Sequence, residues 1–312
     1  MKIIFWGTPD FAVPILQALC DSEHDVVAIV SQPDKTKGRK KTPVPPEVAQ
    51  YGHNNNIPVM QPLKLNKEFR EKLQGYEPDI MIIVAYGRIL RQKILDTPKY
   101  GCINVHFSLL PKYRGASPVN SAILNGDKET GITIMNMVRK MDAGPILYQC
   151  TTPIGKEDST GEILDRLGKN AGPCVLEVLQ KFENGSIEPQ PQNETQATYC
   201  GMISKKDGAI NWNASAENIR RFIYSMSPWP SAYANLSRGE KTDRIIFHSV
   251  EVDTKSTEAK PGEVIAVDKE YIWIQTQVGS LKIKMIQKSG KSVLKVKDFL
   301  LGTPIKQSDF FS

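Results

Sequence analysis

Gly101-Cys-Ile-Asn-Val-His-Phe-Ser-Leu-Leu-Pro-Lys-Tyr-Arg-Gly-Ala-Ser-Pro118 is the stretch from which the rest of the chain can be read. Its opening run, 102–105, is apolar enough for a buried strand, and the polar residues Asn104 and His106 stand towards the far end of that strand. Residues i and i+2 of a strand project from the same face, so an amide donor and an imidazole look into one cavity. The loop beyond carries Pro111, Gly115 and Pro118 with the cations Lys112 and Arg114. In open α/β sheets, ligands sit at the carboxyl ends of the strands. Taken singly, Asn104 reads as turn support and His106 as a core histidine. Paired at a strand end, before a Ser-Leu-Leu-Pro loop, they read as a catalytic site.

The flanking sequence supplies the sheet. Residues 2–6, 25–32, 57–61, 79–85, 130–138 and 146–152 read as strands, with helical patterns at Glu47–Asn54, 67–73, 89–95, 117–124 and 160–182. The most hydrophobic run, 79–85, has the composition of a central parallel strand buried on both faces. After the first strand, Gly7-Thr8-Pro9-Asp10 opens a helix. It lacks the G-x-G-x-x-G spacing with which a backbone approaches a pyrophosphate, which disfavours a dinucleotide cofactor. Gly172-Pro173 is expected to bend the long helix.

Two segments carry excess positive charge. The Pro/Gly-bounded loop 33–46 holds Lys35, Lys37, Arg39, Lys40 and Lys41 against the single anion Asp34. It leaves the carboxyl end of a strand, on the edge expected for the site, where cations can grip phosphates. Further on, Lys282, Lys284, Lys288, Lys291, Lys295 and Lys297 occur with no acidic residue between them; Lys282 and Lys284 are expected on the solvent face of a strand, a run that is most often simply solvated and that on a small barrel also makes a phosphate track. The polar stretch 186–198 reads as a domain boundary. Beyond it the helix Ala216–Ser225 precedes short runs at 232–236, 244–252, 263–267, 271–278 and 281–286, whose even spacing suggests a small β-barrel.

A chain of 312 residues with 40% hydrophobic and 24% charged residues has ample material for two cores. The net charge of +6 permits an anionic partner without requiring one. Five scattered cysteines form no C-x-x-C, and four histidines form no metal-ligand spacing, so neither a disulfide framework nor a metal site is expected. With no run of 18 apolar residues and no leader pattern, a cytoplasmic protein without membrane contact is expected.

Asn104-x-His106-x-Ser108-Leu109-Leu110-Pro111, with Met141-Asp142-Ala143-Gly144 about 35 residues later, resembles the motif set of the formyltetrahydrofolate-dependent transformylases. The opening Gly7-Thr8-Pro9-Asp10-Phe11-Ala12 resembles the branch that formylates methionyl initiator tRNA. Residues 203–212 and Pro228-Trp229-Pro230 look like the entry to that family's carboxyl-terminal, OB-like domain. The resemblance implies a Rossmann-like, mostly parallel catalytic domain at 1–188, a linker at 189–206 and an OB-like tRNA-binding domain at 207–312. It implies Asn104, His106 and Asp142 as catalytic residues. It also implies 10-formyltetrahydrofolate as co-substrate, contacted by Ser108, Leu109, Leu110, Pro111, Arg88, Ile89 and Leu90, with no metal. The basic loop, above all Arg39 after Gly38 with Lys40, Lys41, Lys37 and Lys35, would meet the tRNA acceptor stem. A monomer is expected. Phe107 departs from the family's usual small residue, and a change in packing behind the loop is expected there.

Formyl transfer to an amine passes through a tetrahedral oxyanion, which needs a donor already in place. Asn104 supplies one without titrating, and His106 carries protons while Asp142 orients it. Ser108 lies in no G-x-S-x-G elbow, which argues against a serine hydrolase. The rival readings are a formyltransferase acting on a nucleotide-linked amino sugar, a folate hydrolase, and a non-catalytic nucleic-acid-binding protein.

Overall fold

The computed structural model describes residues 1–37, 42–238 and 241–312. They form two compact units, one of residues 1–118, 129–153 and 164–200, the other of 119–128, 154–163 and 201–312.

The first unit is built on a seven-stranded sheet. Its strands are β1 (Lys2–Gly7), β2 (Asp25–Val30), β3 (Val59–Met60), β4 (Ile80–Val84), β5 (Cys102–His106), β6 (Glu129–Asn136) and β7 (Ile146–Pro153). Their order is β7-β6-β5-β4-β1-β2-β3. The first five are mutually parallel, and β6 runs antiparallel to both β5 and β7. The Rossmann-like, mostly parallel sheet expected from the sequence is therefore present. Every residue of β4 is buried, as an apolar run covered on both faces should be. Because β1, β2, β4 and β5 point the same way, the loops after Gly7, Val30, Val84 and His106 leave from one edge.

The helix Thr160–Glu183 continues through Pro173 as one element. Two glycines four residues apart let it lie close to the start of the chain. A Cβ at Gly168 would collide with the Phe11 carbonyl oxygen, and one at Gly172 would stand 2.6 Å from the Ala18 Cβ. The expected helix at 89–95 shrinks to Gln92–Leu95. The reason lies just upstream, where the Tyr86 carbonyl accepts from Thr8 and Gln32 and Gly87 has φ +82°. Arg88 is tied to the carbonyls of Pro62 and Leu63. These anchors hold the segment out of a helical path. Residues 189–200, part of the linker expected at 189–206, group with the first unit. Gln190 bridges to Ile146, and Tyr199–Cys200 pairs with Arg114–Gly115.

The second unit is an antiparallel sheet of β8 (Ala232–Arg238), β9 (Lys241–Asp253), β10 (Val264–Val267), β11 (Ile272–Gln275), β12 (Ser280–Lys288) and the short β13 (Leu294–Lys295). The path runs β8-β9-β12-β11-β10, with β13 on β12. Register breaks around Ser249 let the long β9 bend. The segment 308–312 closes the curl. Leu236 of β8 pairs with Phe311, Glu263 beside β10 pairs with Phe310, and the edges that an open sheet would leave unpaired are covered. Phe311 also fills the interior, 5.5 Å from Phe247 and 6.2 Å from Trp212 between ring centroids. This is the OB-like barrel that was expected.

Lys282, Lys284 and Lys288 of the lysine run have partners within the barrel, whereas Lys291, Lys295 and Lys297 are exposed. Glu251 stands opposite Lys282 on the neighbouring strand and takes both Lys282 (3.7 Å) and Lys284 (2.6 Å). Lys282 also lies 3.9 Å from the centre of the Tyr271 ring, and Lys288 pairs with Asp243. No helix among the described residues is long and apolar enough to cross a membrane.

Phe311 is 1% exposed, so Phe311→Ala should remove about 3–5 kcal/mol from the second unit. Urea unfolding followed by tryptophan fluorescence reads this directly, with Trp212 as the reporter beside the deleted ring.

Candidate active site

β5 lies between β4 and β6, with Asn104 opposite Ile83 on one side and Met135 on the other. Asn104 is half-buried, and its side-chain amide donates to no protein group among the described residues. It is therefore available to a ligand. Two residues on, the buried His106 places Nε2 2.9 Å from the Tyr113 carbonyl oxygen. A carbonyl oxygen only accepts, so Nε2 carries the proton and the titrating nitrogen is Nδ1. That atom faces the Asp142 carboxylate at 3.9 Å. The three residues expected from the sequence are thus brought together, with the titrating edge of the imidazole turned to the acid.

Asp142 is held in place from outside its own loop. Its Oδ2 accepts from the Gly115 backbone N–H at 2.8 Å. Its φ of +47° lies in the left-handed region, as do those of Ala85 (+47°) and Tyr113 (+60°). Strained non-glycine backbone of this kind costs about 1–3 kcal/mol per residue and collects at functional sites. All three lie on loops leading from β4, β5 and β6.

The Ser108–Pro111 loop is pinned by two side chains that sequence reading passes over. Thr133, fully buried on β6, donates to the Ser108 carbonyl at 2.6 Å and accepts from the Leu110 amide at 3.1 Å. Gln149 on β7 donates to both the Leu110 carbonyl and Thr133 Oγ1 at 2.8 Å. A polar residue at the middle of the apolar run Ile132-Thr133-Ile134 was the available signal for Thr133. Ser108 Oγ is committed to the Lys112 carbonyl, which leaves it no catalytic base. Phe107 is buried and packs against Phe11 at 5.4 Å, filling the space behind the loop.

The other expected contacts are distributed unevenly. Ile89 is 78% exposed, whereas Leu90 belongs to the apolar cluster of Trp6, Phe69 and Tyr86, so only its backbone is available to a ligand. Arg88 has its guanidinium on the 62–63 carbonyls. Lys35 and Lys37 lie on a strand that pairs with Thr42–Val44; Lys35 is exposed. Arg39, Lys40 and Lys41 lie outside the described residues. Burial pushes the Cys102 thiol at the start of β5 up to about 12, so it stays protonated and is no nucleophile.

The formyl transferase family model matches residues 1–179, and the family's carboxyl-terminal domain model matches 202–304. The chain belongs to the formyl transferase family. Two methionyl-tRNA formyltransferases place it within that family. It is 40% identical to the one from Citrifermentans bemidjiense, over 97% of this chain and 93% of the relative. It is 39% identical to the one from Agathobacter rectalis over 100% of both chains. An N-formyltransferase from Helicobacter canadensis, solved with folinic acid and dTDP-3-aminofucose, superposes with a TM-score of 0.65 at 19% identity. That alignment covers 92% of this chain and 99% of the other, and it shows a shared fold.

Beside the candidate site, the pairing of Glu194 with Arg114 and Lys140 has a pH dependence of definite sign. Hydrogen bonds from Arg114 and then Lys140 hold the Glu194 carboxyl at about 2, against an ordinary 4.5. A depressed carboxyl contributes stability above its unfolded value and loses it as pH falls through the folded one. The contribution should therefore be complete above about pH 4.5 and fade towards pH 2. Urea midpoints of the wild type and Glu194→Gln should converge across that window and stay separated, by a constant amount, at neutral pH.

Proposed function

We propose that this formyl transferase moves the formyl group of 10-formyltetrahydrofolate to the free α-amino group of methionyl initiator tRNA. The observation that carries the chemistry is the meeting of Asn104, His106 and Asp142 at one strand end. The acceptor follows from the methionyl-tRNA formyltransferases that match nearly the whole chain at about 40% identity. The amino-sugar reading has only a distant likeness of fold behind it, and a non-catalytic nucleic-acid-binding protein would leave the catalytic triad without a purpose.

In this reading the neutral amine attacks the formyl carbon, and the C=O π electrons move to oxygen. The half-buried amide of Asn104 donates to that oxyanion. Collapse of the tetrahedral intermediate re-forms the C=O bond and breaks the bond to N10. The attacking nitrogen loses one proton and N10 gains one, leaving tetrahydrofolate and the N-formylated amine. His106 mediates this exchange through Nδ1, because Nε2–H is fixed on the Tyr113 carbonyl. Asp142 stabilises the cation formed when Nδ1 is protonated. The folate lies along the loops 86–90 and 108–111, of which Gly87, Arg88 and Ile89 are exposed.

The basic loop leaves β2 on the same sheet edge as the site, which supports a role for Arg39, Lys40 and Lys41 in gripping tRNA phosphates. The absence of a membrane partner and a monomeric state are part of the same reading.

Transfer of labelled formyl from 10-formyltetrahydrofolate to charged initiator tRNA, with an amino-sugar nucleotide offered separately, tests the assignment. Label on the tRNA supports it, and label on the sugar alone refutes the acceptor. Asn104→Ala should lower kcat by about 10²–10³ with the folate KM little changed. Neutralising Arg39, Lys40 and Lys41 together should raise the KM for tRNA, most at low salt, with a shallower salt dependence than the wild type, and leave folate binding intact.

A further inference from the structure

We infer that Gln192 is a positioning residue for the formyl transfer, clamping the Asp142 loop through the buried guanidinium of Arg114. This rests on Asp142 being the acid beside His106.

Arg114 is completely buried, and a buried charge requires partners. Its guanidinium meets both carboxylate oxygens of Glu194 at 2.9 and 3.1 Å. It also donates twice to Gln192 Oε1, at 2.8 and 3.1 Å. Arginine has only donors, so the Gln192 amide must turn its oxygen towards Arg114. The Nε2 group is thereby aimed the other way. Its two hydrogens reach the Asp142 carbonyl at 2.9 Å and the Gly144 carbonyl at 2.7 Å. Carbonyls only accept, so the orientation is forced from both ends.

The consequence falls on Asp142 itself. Arg114 and Gly115 are consecutive, and they hold opposite ends of the same residue. Gly115 N–H binds the Asp142 carboxylate, while Arg114, through Gln192, binds its main-chain carbonyl. A residue with φ +47° keeps that conformation only where its surroundings over-determine it. Gly144, two residues on, has no room for a side chain, because a Cβ would collide with the Asn136 carbonyl oxygen. Gln192 lies between the stretches that the two family models match. Local sequence gives it no mark beyond a Pro/Gln-rich run.

Gln192→Glu separates positioning from mere folding. It keeps the acceptor for Arg114 and adds charge to that contact, but it turns an oxygen on the Asp142 and Gly144 carbonyls. We expect kcat to fall about 10- to 100-fold, as when an outer partner of a working residue is removed, with KM for folate and tRNA changed less than about twofold. In an Asp142→Asn background, which has already lost the charge being positioned, the same substitution should cost less than about twofold more in kcat. Wild-type kcat in Gln192→Glu overturns the clamp. So does a loss that multiplies undiminished onto Asp142→Asn. Near-normal turnover in Asp142→Asn alone removes the site assignment, and the positioning role of Gln192 with it. Thermal melting checks that each variant folds. Gln192→Met, of similar volume but without either hydrogen bond, reads the same pair of ratios should the glutamate variant not fold.

Discussion

The hydrogen bond from His106 Nε2 to the Tyr113 carbonyl sets the terms for the rest of the site. It fixes which ring nitrogen titrates, and so determines that the acid has to stand on the Nδ1 side. That carbonyl is itself positioned by strained backbone, since Tyr113 has φ +60°. Its amide donates to Thr198 Oγ1 at 2.8 Å, and the ribbon of Arg114–Gly115 with Tyr199–Cys200 follows directly. The segment after residue 188 is therefore part of the machinery that orients the histidine, although its composition is that of a connector.

Rigidity is distributed around the site in layers. β5 gives Asn104 and His106 a common face and a fixed separation. Thr133 and Gln149 lock the loop that follows. Arg114, Gln192 and Glu194 hold the acid. The Gly115 amide on the Asp142 carboxylate, the Gln192 amide on the Asp142 carbonyl and the Tyr113 amide on the Thr198 hydroxyl oppose the cost of two left-handed conformations. In the proposed mechanism, a preorganised donor and a fixed imidazole need no rearrangement at the moment of reaction, which is where such sites gain their rate.

Much of this was legible in the sequence because it depends on local pattern. The spacing of Asn104 and His106 holds wherever a strand forms, and the apolar run at 79–85 could hardly be anything but a central strand. The family motif reached Asp142, which no periodicity would have found. What escaped depends on contacts between residues far apart in sequence. Arg114 and Gln192 lie 78 residues apart; Glu251 neutralises lysines on another strand; the barrel is closed by 308–312, residues with no strand pattern of their own. The helix expected at 89–95 loses its first three residues because Tyr86 and Arg88 are anchored by side chains and carbonyls from other loops. Propensity yields there to tertiary hydrogen bonds.

The ring nitrogens of His106 carry the account, and nitrogen NMR of the histidine-labelled protein observes them directly. The protein has four histidines, so comparison with a His106→Gln variant assigns the signal. In the neutral ring, Nε2 should be protonated and Nδ1 bare, and on acidification the proton should enter at Nδ1. A neutral form protonated at Nδ1 would mean that the Tyr113 carbonyl does not hold the ring. The proton path through Nδ1 and Asp142 would then be contradicted.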